Sequence, residues 1–138
     1  MDDRIKKASE YYTNGHYCSQ AVLGAFCEEY GFDKETAFKI SCGLNSGARC
    51  AEICGAVTGA ILVIGLKYGS SKEICNLKTE EFIRHFKENN ESVVCCDLLG
   101  CDISTPEGKE YALSKNLFTT QCLELVEKAA QLLVDLDY

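Results

Sequence analysis

The sequence predicts an all-α fold: a single-domain helical bundle of about five to seven helices around a buried apolar central helix at about residues 54–68. Three observations lead to this prediction. Only one proline occurs among the 138 residues. Apolar residues recur at helical spacing along most of the chain. No stretch of four or more residues alternates cleanly with β-branched residues on one face, as a half-buried strand would.

The first three helices are predicted near residues 3–14, 17–30 and 34–42. Gly15 and Gly31 follow the first two, and glycine is the residue that most often ends a helix in the left-handed conformation. Asp33 precedes the third helix, where its carboxylate can accept a hydrogen bond from a free N–H group of the first turn. Gly43 and Gly47 then mark a break in the helical pattern.

The central helix is apolar nearly all round rather than on one face. A helix of this kind is usually buried in the middle of a bundle. Several of its residues are small enough to let neighbouring helices come close, and these are Gly55, Ala56, Gly59 and Ala60. We therefore expect the other helices to pack around residues 54–68.

The second half of the chain predicts helices near residues 80–89, 106–114 and 120–135, with a short helical turn within 92–99. Thr79 is the expected N-cap of the first of these helices. Pro106 suits the first turn of the second, because proline has no N–H group to leave unpaired there. The last helix has the clearest apolar stripe, which consists of Cys122, Leu125, Val126, Ala129, Leu132, Leu133 and Leu136.

The composition fits one globular domain that spans residues 1–138, and it excludes several classes of protein. Apolar residues make up 46% and charged residues 25%, which excludes a disordered chain. A net charge of −7 argues against nucleic acid as a partner. No apolar segment reaches the roughly 18 residues of a membrane span, and none follows a basic start. We therefore expect no membrane insertion and a cytoplasmic location.

Ten cysteines are the feature that an ordinary globular composition does not explain. In a reducing compartment, cysteines more often bind metal or act in catalysis than form structural disulfides. The spacings typical of zinc ribbons, thioredoxin-type motifs, bacterial ferredoxins and c-type haem sites are all missing. Cys54 has the most suggestive position, since a helix N-terminus stabilises a thiolate, the form that acts as nucleophile or metal ligand. Packing as a small apolar residue is the alternative for Cys54.

Two further cysteines share this kind of position. Cys18 and Cys122 lie near the beginnings of their predicted helices, so several thiols could meet at one end of the bundle. His16, two residues before Cys18, could share a metal with it. The glycine-containing loop 43–47 could bind an anion, but it lacks the Lys-Ser/Thr pair of a P-loop. We expect instead that its glycines let the backbone approach the thiols closely.

Four cysteine-containing segments follow one another in a recognisable order: Cys18-Ser-Gln-Ala-Val, Cys54-Gly-Ala-Val-Thr-Gly59, Cys95-Cys-Asp-Leu-Leu-Gly100 and Cys122-Leu-Glu-Leu-Val126. In this order the sequence resembles, over nearly its whole length, the C_GCAxxG_C_C family, which is named for redox activity and is related to the cluster-bearing part of split-Soret cytochromes. The resemblance implies that the four signature cysteines are Cys18, Cys54, Cys95 and Cys122, with Cys96 as the alternative to Cys95. The chain departs from the pattern by its extra thiols, and the additional candidate ligands are Cys50, Cys96 and Cys101.

Three functions are open on the sequence alone. The resemblance favours an iron–sulfur cluster, held by the four thiolates, in an electron carrier, a redox sensor or an oxidoreductase. A metal-free thiol–disulfide protein would use Cys54 as the reactive thiol and Cys50 or Cys95 as the resolving thiol. A zinc-stapled bundle would use the cysteines for stability alone. The redox functions imply a redox partner protein, and part of the central helix could contact a second copy of the chain in a homodimer.

Overall fold

The computed structural model describes residues 2–138, and this part of the chain contains eight helices and no β-strand. The helices are α1 (Asp3–Thr13), α2 (Cys18–Phe26), α3 (Lys34–Ser41), α4 (Gly55–Tyr68), α5 (Lys72–Asn90), α6 (Cys95–Leu99), α7 (Pro106–Ser114) and α8 (Gln121–Asp135). The prediction of an all-α fold is therefore confirmed. The count is one above the predicted range because residues 95–99 form a short helix of their own.

The start of α5 is the main departure from the predicted elements. The sequence predicted a helix near residues 80–89 capped by Thr79, but the N-cap is Ser71, whose Oγ accepts a hydrogen bond from the N–H group of Ile74 at 3.3 Å. The first turns of α5 expose Ile74 and Leu77 to solvent. No buried stripe runs along these turns, so the periodicity that identifies a buried helix is missing from them.

The core is built around α4, which packs on α2, α5 and α8. The largest fully buried side chains are Phe26, Phe82, Phe86, Leu23, Leu133 and, on α4 itself, Ile64. Partly buried side chains on α4 are Ile61, Leu62 and Leu66, so the central helix is buried over most of its surface and not all round. It has 14 residues, fewer than the roughly 20 of a membrane span. No helix within residues 2–138 has the combination of length and apolar character needed to cross a membrane.

Helices α2 and α4 cross at close range because α4 has a glycine at the contact. A Cβ atom on Gly59 would lie 2.7 Å from the backbone oxygen of Ser19 and 3.2 Å from Cβ of Val22. Ser19 is fully buried, and its hydroxyl donates a hydrogen bond to the backbone oxygen of Ser41 at 2.7 Å. The crossing fixes the beginning of α2 against the first turn of α4.

A second, smaller apolar cluster consists of Cys95, Leu99, Ile103 and Ala112. The partly buried side chains of Phe118 and Cys122 pack against it. The Tyr12 hydroxyl on α1 donates a hydrogen bond to the backbone oxygen of Phe118 at 2.5 Å, which ties α1 to the segment that precedes α8. The segments around α6, α7 and the start of α8 are thereby held next to the main core.

Candidate functional site

A cavity of about 700 Å³ is lined by residues of both apolar clusters. All four signature cysteines, Cys18, Cys54, Cys95 and Cys122, are among its lining residues. The additional candidate ligands are not among the lining residues described within 2–138, and they are Cys50, Cys96 and Cys101. The structure thus brings together four cysteines from four separate segments of the chain.

Each of these four cysteines stands at the beginning of a helix. Cys18 and Cys95 are the first residues of α2 and α6, Cys54 is the N-cap of α4, and Cys122 is the second residue of α8. The N–H groups in the first turn of a helix have no partner within the helix, and they carry the positive end of its dipole. The beginnings of the three longer helices therefore favour negative charge on the sulfur atoms.

Cys54 and Cys95 are held beside each other by a short antiparallel pairing of the residues that precede them. The bridge joins Ile53 and Val94. The N–H group of Cys54 donates a hydrogen bond to the backbone oxygen of Val93 at 2.8 Å, and that of Cys95 donates to the backbone oxygen of Glu52 at 2.6 Å. Helical periodicity gives no sign of this pairing, because it joins distant segments through backbone groups alone.

The glycine that follows Cys54 has a steric role. A Cβ atom on Gly55 would overlap the Sγ atom of Cys18 and would lie 3.2 Å from the backbone oxygen of Leu44. The missing side chain therefore lets the sulfur of Cys18 lie against the beginning of α4. Together with Gly59 at the crossing of α2, this contact explains both glycines of the C-G-A-x-x-G segment in this chain.

Burial raises the pKa of all four thiols. It raises the pKa of Cys18, Cys95 and Cys122 from 9.0 to about 12, and it also raises the pKa of Cys54. The next largest cause for Cys18 and for Cys95 is the nearby sulfur of Cys54, and for Cys122 it is the sulfur of Cys18. These mutual effects arise because the sulfur atoms face one another across the cavity.

Hydrogen-bond donors oppose this rise at three of the sulfurs. The backbone N–H groups of Ser19 and Ser46 lower the pKa of Cys18, against the larger effect of burial. Two N–H groups in the first turn of α4 do the same for Cys54. The hydroxyl of Tyr12, which donates its hydrogen to the backbone oxygen of Phe118, also lies close enough to Cys122 to lower the pKa of its thiol. These groups lessen the rise but do not cancel it, because the pKa of each of the three thiols stays above its ordinary value of 9.0.

The cavity is also lined by residues that the pattern of cysteines did not single out. Cys42, which immediately follows α3, lines the cavity although its side chain is exposed. His16 lines it too, stacked on Phe38 with the ring centroids 4.1 Å apart, and its Nδ1 atom is buried with no hydrogen-bond partner within residues 2–138. Tyr12 was not selected from the sequence, because helical periodicity does not show where a hydroxyl group lies.

A single metal ion and an iron–sulfur cluster place different demands on their cysteine ligands. Among residues 2–138, no group of three or more His, Cys, Asp or Glu side chains is arranged to hold a metal ion. A single Zn²⁺ needs its thiolate sulfurs at about 2.3 Å from one centre. An iron–sulfur cluster divides four thiolates among two or four irons, so its sulfur ligands lie further apart. The lining described contains five cysteines, which are the four signature residues and the exposed Cys42, and it contains no carboxylate.

Comparison with known proteins gives one finding. A family model described as Putative redox-active protein (C_GCAxxG_C_C) matches residues 16–136. Searches of curated proteins and of solved structures gave no match. The matched residues include the four signature cysteines that line the cavity, the fifth lining cysteine Cys42 and both glycines of the C-G-A-x-x-G segment. The chain therefore belongs to the C_GCAxxG_C_C family.

Proposed function

We propose that this protein binds an iron–sulfur cluster through the thiolates of Cys18, Cys54, Cys95 and Cys122 and uses it in electron transfer or redox sensing. The observation that carries the proposal is that these four thiols, from four segments of the chain, line one cavity. The family description supports a redox role in general. The four cysteines span most of the sequence. We therefore propose that residues 1–138 form a single cysteine-rich helical redox domain.

A bound cluster would supply one-electron redox chemistry, and the chain's own residues would set its reduction potential. Cys54 and Cys95 are each only 6% exposed, so their sulfurs are shielded from water. The N–H groups directed at Cys18 and Cys54 favour the reduced state, because reduction makes the sulfur ligands more negative. The four ligands must be thiolates, so the proposal requires a reducing compartment such as the cytoplasm. Electron transfer also requires a redox partner protein.

The two alternatives have less support. A metal-free thiol–disulfide mechanism needs Cys54 as a thiolate, but burial raises the pKa of this thiol, which reduces the nucleophilic fraction. Cys50, one of its two candidate resolving thiols, is exposed and is not among the residues described as lining the cavity. A zinc-stapled bundle has no specific support, because the family description names redox activity and not a structural metal.

Metal analysis of anaerobically purified full-length protein tests the proposal. We expect brown protein with charge-transfer absorption in the visible range and with both iron and acid-labile sulfide. Colourless protein with stoichiometric zinc would instead support the zinc-stapled bundle. Metal-free protein whose thiols oxidise reversibly in pairs would support thiol–disulfide chemistry. If fresh anaerobic protein contains no iron and shows no charge-transfer absorption, the cluster proposal is abandoned.

A pair of cysteine variants locates the site in the same experiment. Cys54→Ser removes a ligand from the cavity and is expected to lose the iron and the visible absorption. Cys75→Ser is the control. Cys75 is partly buried, but it belongs to α5 and is not among the described lining residues. We expect Cys75→Ser to keep the iron content of the wild type.

A further inference from the structure

The charge of the cavity lining is opposite in sign to that of the whole chain. The protein has 21 acidic and 14 basic residues, with a net charge of −7. Among the lining residues described within 2–138, however, there is no Asp or Glu, and the two charged side chains are Arg49 and Lys109. Both are exposed, so they lie where the cavity meets solvent. The charged side chains at the mouth of the cavity are therefore both basic, although the protein as a whole is acidic.

Arg49 is fixed in place by neutral hydrogen-bond acceptors. Its Nη1 atom donates to Oδ1 of Asn45 at 3.0 Å and to Oγ of Ser46 at 3.2 Å. Asn45 is buried, and its Nδ2 atom donates to the backbone oxygen of Cys42 at 2.8 Å. In the part of the chain that the structure describes, neither Arg49 nor Lys109 forms a salt bridge with a carboxylate. Their positive charges are therefore not neutralised by an ion pair.

The loop that carries Arg49 has an unusual backbone. Within residues 46–51, four non-glycine residues have positive φ angles of 54–66°, and these are Ser46, Ala48, Arg49 and Ala51. The left-handed conformation is unfavourable for residues with a Cβ atom, so the surrounding structure must stabilise this turn. Strained backbone of this kind is concentrated at functional sites, where it holds a group in a required position. Here it holds a guanidinium group at the mouth of the thiol-lined cavity.

We propose that Arg49 and Lys109 bind a small anionic molecule, through a carboxylate or an oxyanion group, at the mouth of this cavity. A guanidinium group can donate two parallel hydrogen bonds to such a group, and an ammonium group adds a point charge. The cavity volume of about 700 Å³ is within the range of small-molecule sites. This inference goes beyond the proposed function and does not depend on what the thiols hold.

The lack of carboxylates in the lining matters because the sulfur atoms of the cysteines lie inside the cavity. Thiolates, whether free or bound to metal, repel an approaching anion, and carboxylates in the lining would add to that repulsion. Two unpaired cations offset it. An alternative is that Arg49 and Lys109 only compensate the negative charge of the sulfurs. In that case the experiment below would show no saturable binding of an anion.

Titration of the full-length protein, purified anaerobically, with sodium sulfate or sodium acetate tests the inference. Binding is followed by calorimetry or NMR at constant ionic strength, with dimethyl sulfone and acetamide as uncharged probes of similar shape. We expect saturable binding of at least one of the two anions and none of the uncharged probes. Arg49→Gln and Lys109→Gln should each weaken binding by about tenfold or more, since each removes a charge-assisted hydrogen bond.

Arg84→Gln and Lys115→Gln are the matched controls, because both residues are exposed and neither is among the described lining residues. These controls should bind the anion as the wild type does. The inference is overturned if neither anion binds saturably, or if Arg49→Gln and Lys109→Gln bind as tightly as the wild type. Iron and sulfide are measured on the same samples. Anion binding without iron contradicts only the proposed function, and iron without anion binding contradicts only this inference.

Discussion

One missing methyl group determines how closely Cys18 approaches α4. Gly55 and Gly65 both lie on this helix, and their surroundings differ completely. A Cβ atom on Gly55 would overlap the sulfur of Cys18, whereas one on Gly65 would meet no atom within 4 Å. The helix backbone itself tolerates alanine at either position. The two glycines therefore separate the effect of the thiol contact from the effect of helix propensity.

Gly55→Ala is expected to displace the Cys18 sulfur or the first turn of α4, and so to reduce the iron bound per chain. The free energy of unfolding should fall by about 1–3 kcal/mol, the usual cost of overpacking. Gly65→Ala should keep its iron and gain up to about 1 kcal/mol, because alanine favours the helix over glycine. Iron analysis and urea unfolding of both variants check this. Equal iron content and equal stability in the two variants would contradict the steric role of Gly55.

At the scale of elements, the sequence predicts helices well where capping residues and a buried stripe occur together. Asp33 accepts a hydrogen bond from the N–H group of Thr36 at 2.8 Å, and Pro106 is the first residue of α7, both as predicted. The first turns of α5 could not be found in this way, because their apolar residues face solvent. The left-handed turn at 46–51 could not be predicted either, since tertiary contacts stabilise it against the preference of non-glycine residues for negative φ angles.

The N-cap of α5 gives a direct test at this scale. Ser71→Ala should lower the free energy of unfolding by about 1 kcal/mol, because the N–H group of Ile74 loses its hydrogen-bond acceptor. Thr79 lies within α5, so Thr79→Ala should change the free energy of unfolding by no more than about 0.5 kcal/mol. Chemical unfolding of the two variants measures both values. A larger loss in Thr79→Ala than in Ser71→Ala would mean that α5 begins near residue 80, as its periodicity predicted.

At the scale of the whole molecule, the cavity depends on packing that no single segment encodes. The order of the cysteines singled out four of the five that line it, but the convergence of these four comes from the α2–α4 crossing and from the Ile53–Val94 bridge. These contacts join residues far apart in the chain through backbone groups and small side chains, which leave no periodic pattern in the sequence. The positive mouth of the cavity is equally invisible in a sequence with a net charge of −7.

The raised thiol pKa values predict how the stability of metal-free protein depends on pH. The pKa of Cys18, Cys95 and Cys122 is raised from 9.0 to about 12, so the folded chain keeps protons that the unfolded chain releases. Their contribution to stability is complete below about pH 9 and is lost as the pH rises from 9 to 12. Urea unfolding of reduced, metal-free protein at about pH 8 and about pH 10.5 should show this decrease.

Lysine and tyrosine residues also titrate in this range, so the comparison between variants is decisive. Cys18→Ser should reduce the dependence of stability on pH, because one buried titrating group is removed. Cys42→Ser should leave it unchanged, since the side chain of Cys42 is exposed. If Cys18→Ser and Cys42→Ser show the same pH dependence as the wild type, then burial does not hold the Cys18 thiol in its protonated form.

The central claim is that four particular thiols hold one iron–sulfur cluster, and two adjacent cysteines test it most directly. Cys95 is buried and lines the cavity, whereas its neighbour Cys96 is only partly buried and is not among the described lining residues. The measurement is the iron and acid-labile sulfide per chain in anaerobically purified Cys95→Ser and Cys96→Ser. We expect Cys95→Ser to lose both iron and sulfide and Cys96→Ser to keep the iron and sulfide content of the wild type. Loss in Cys96→Ser with retention in Cys95→Ser, or wild-type protein without iron, would contradict it.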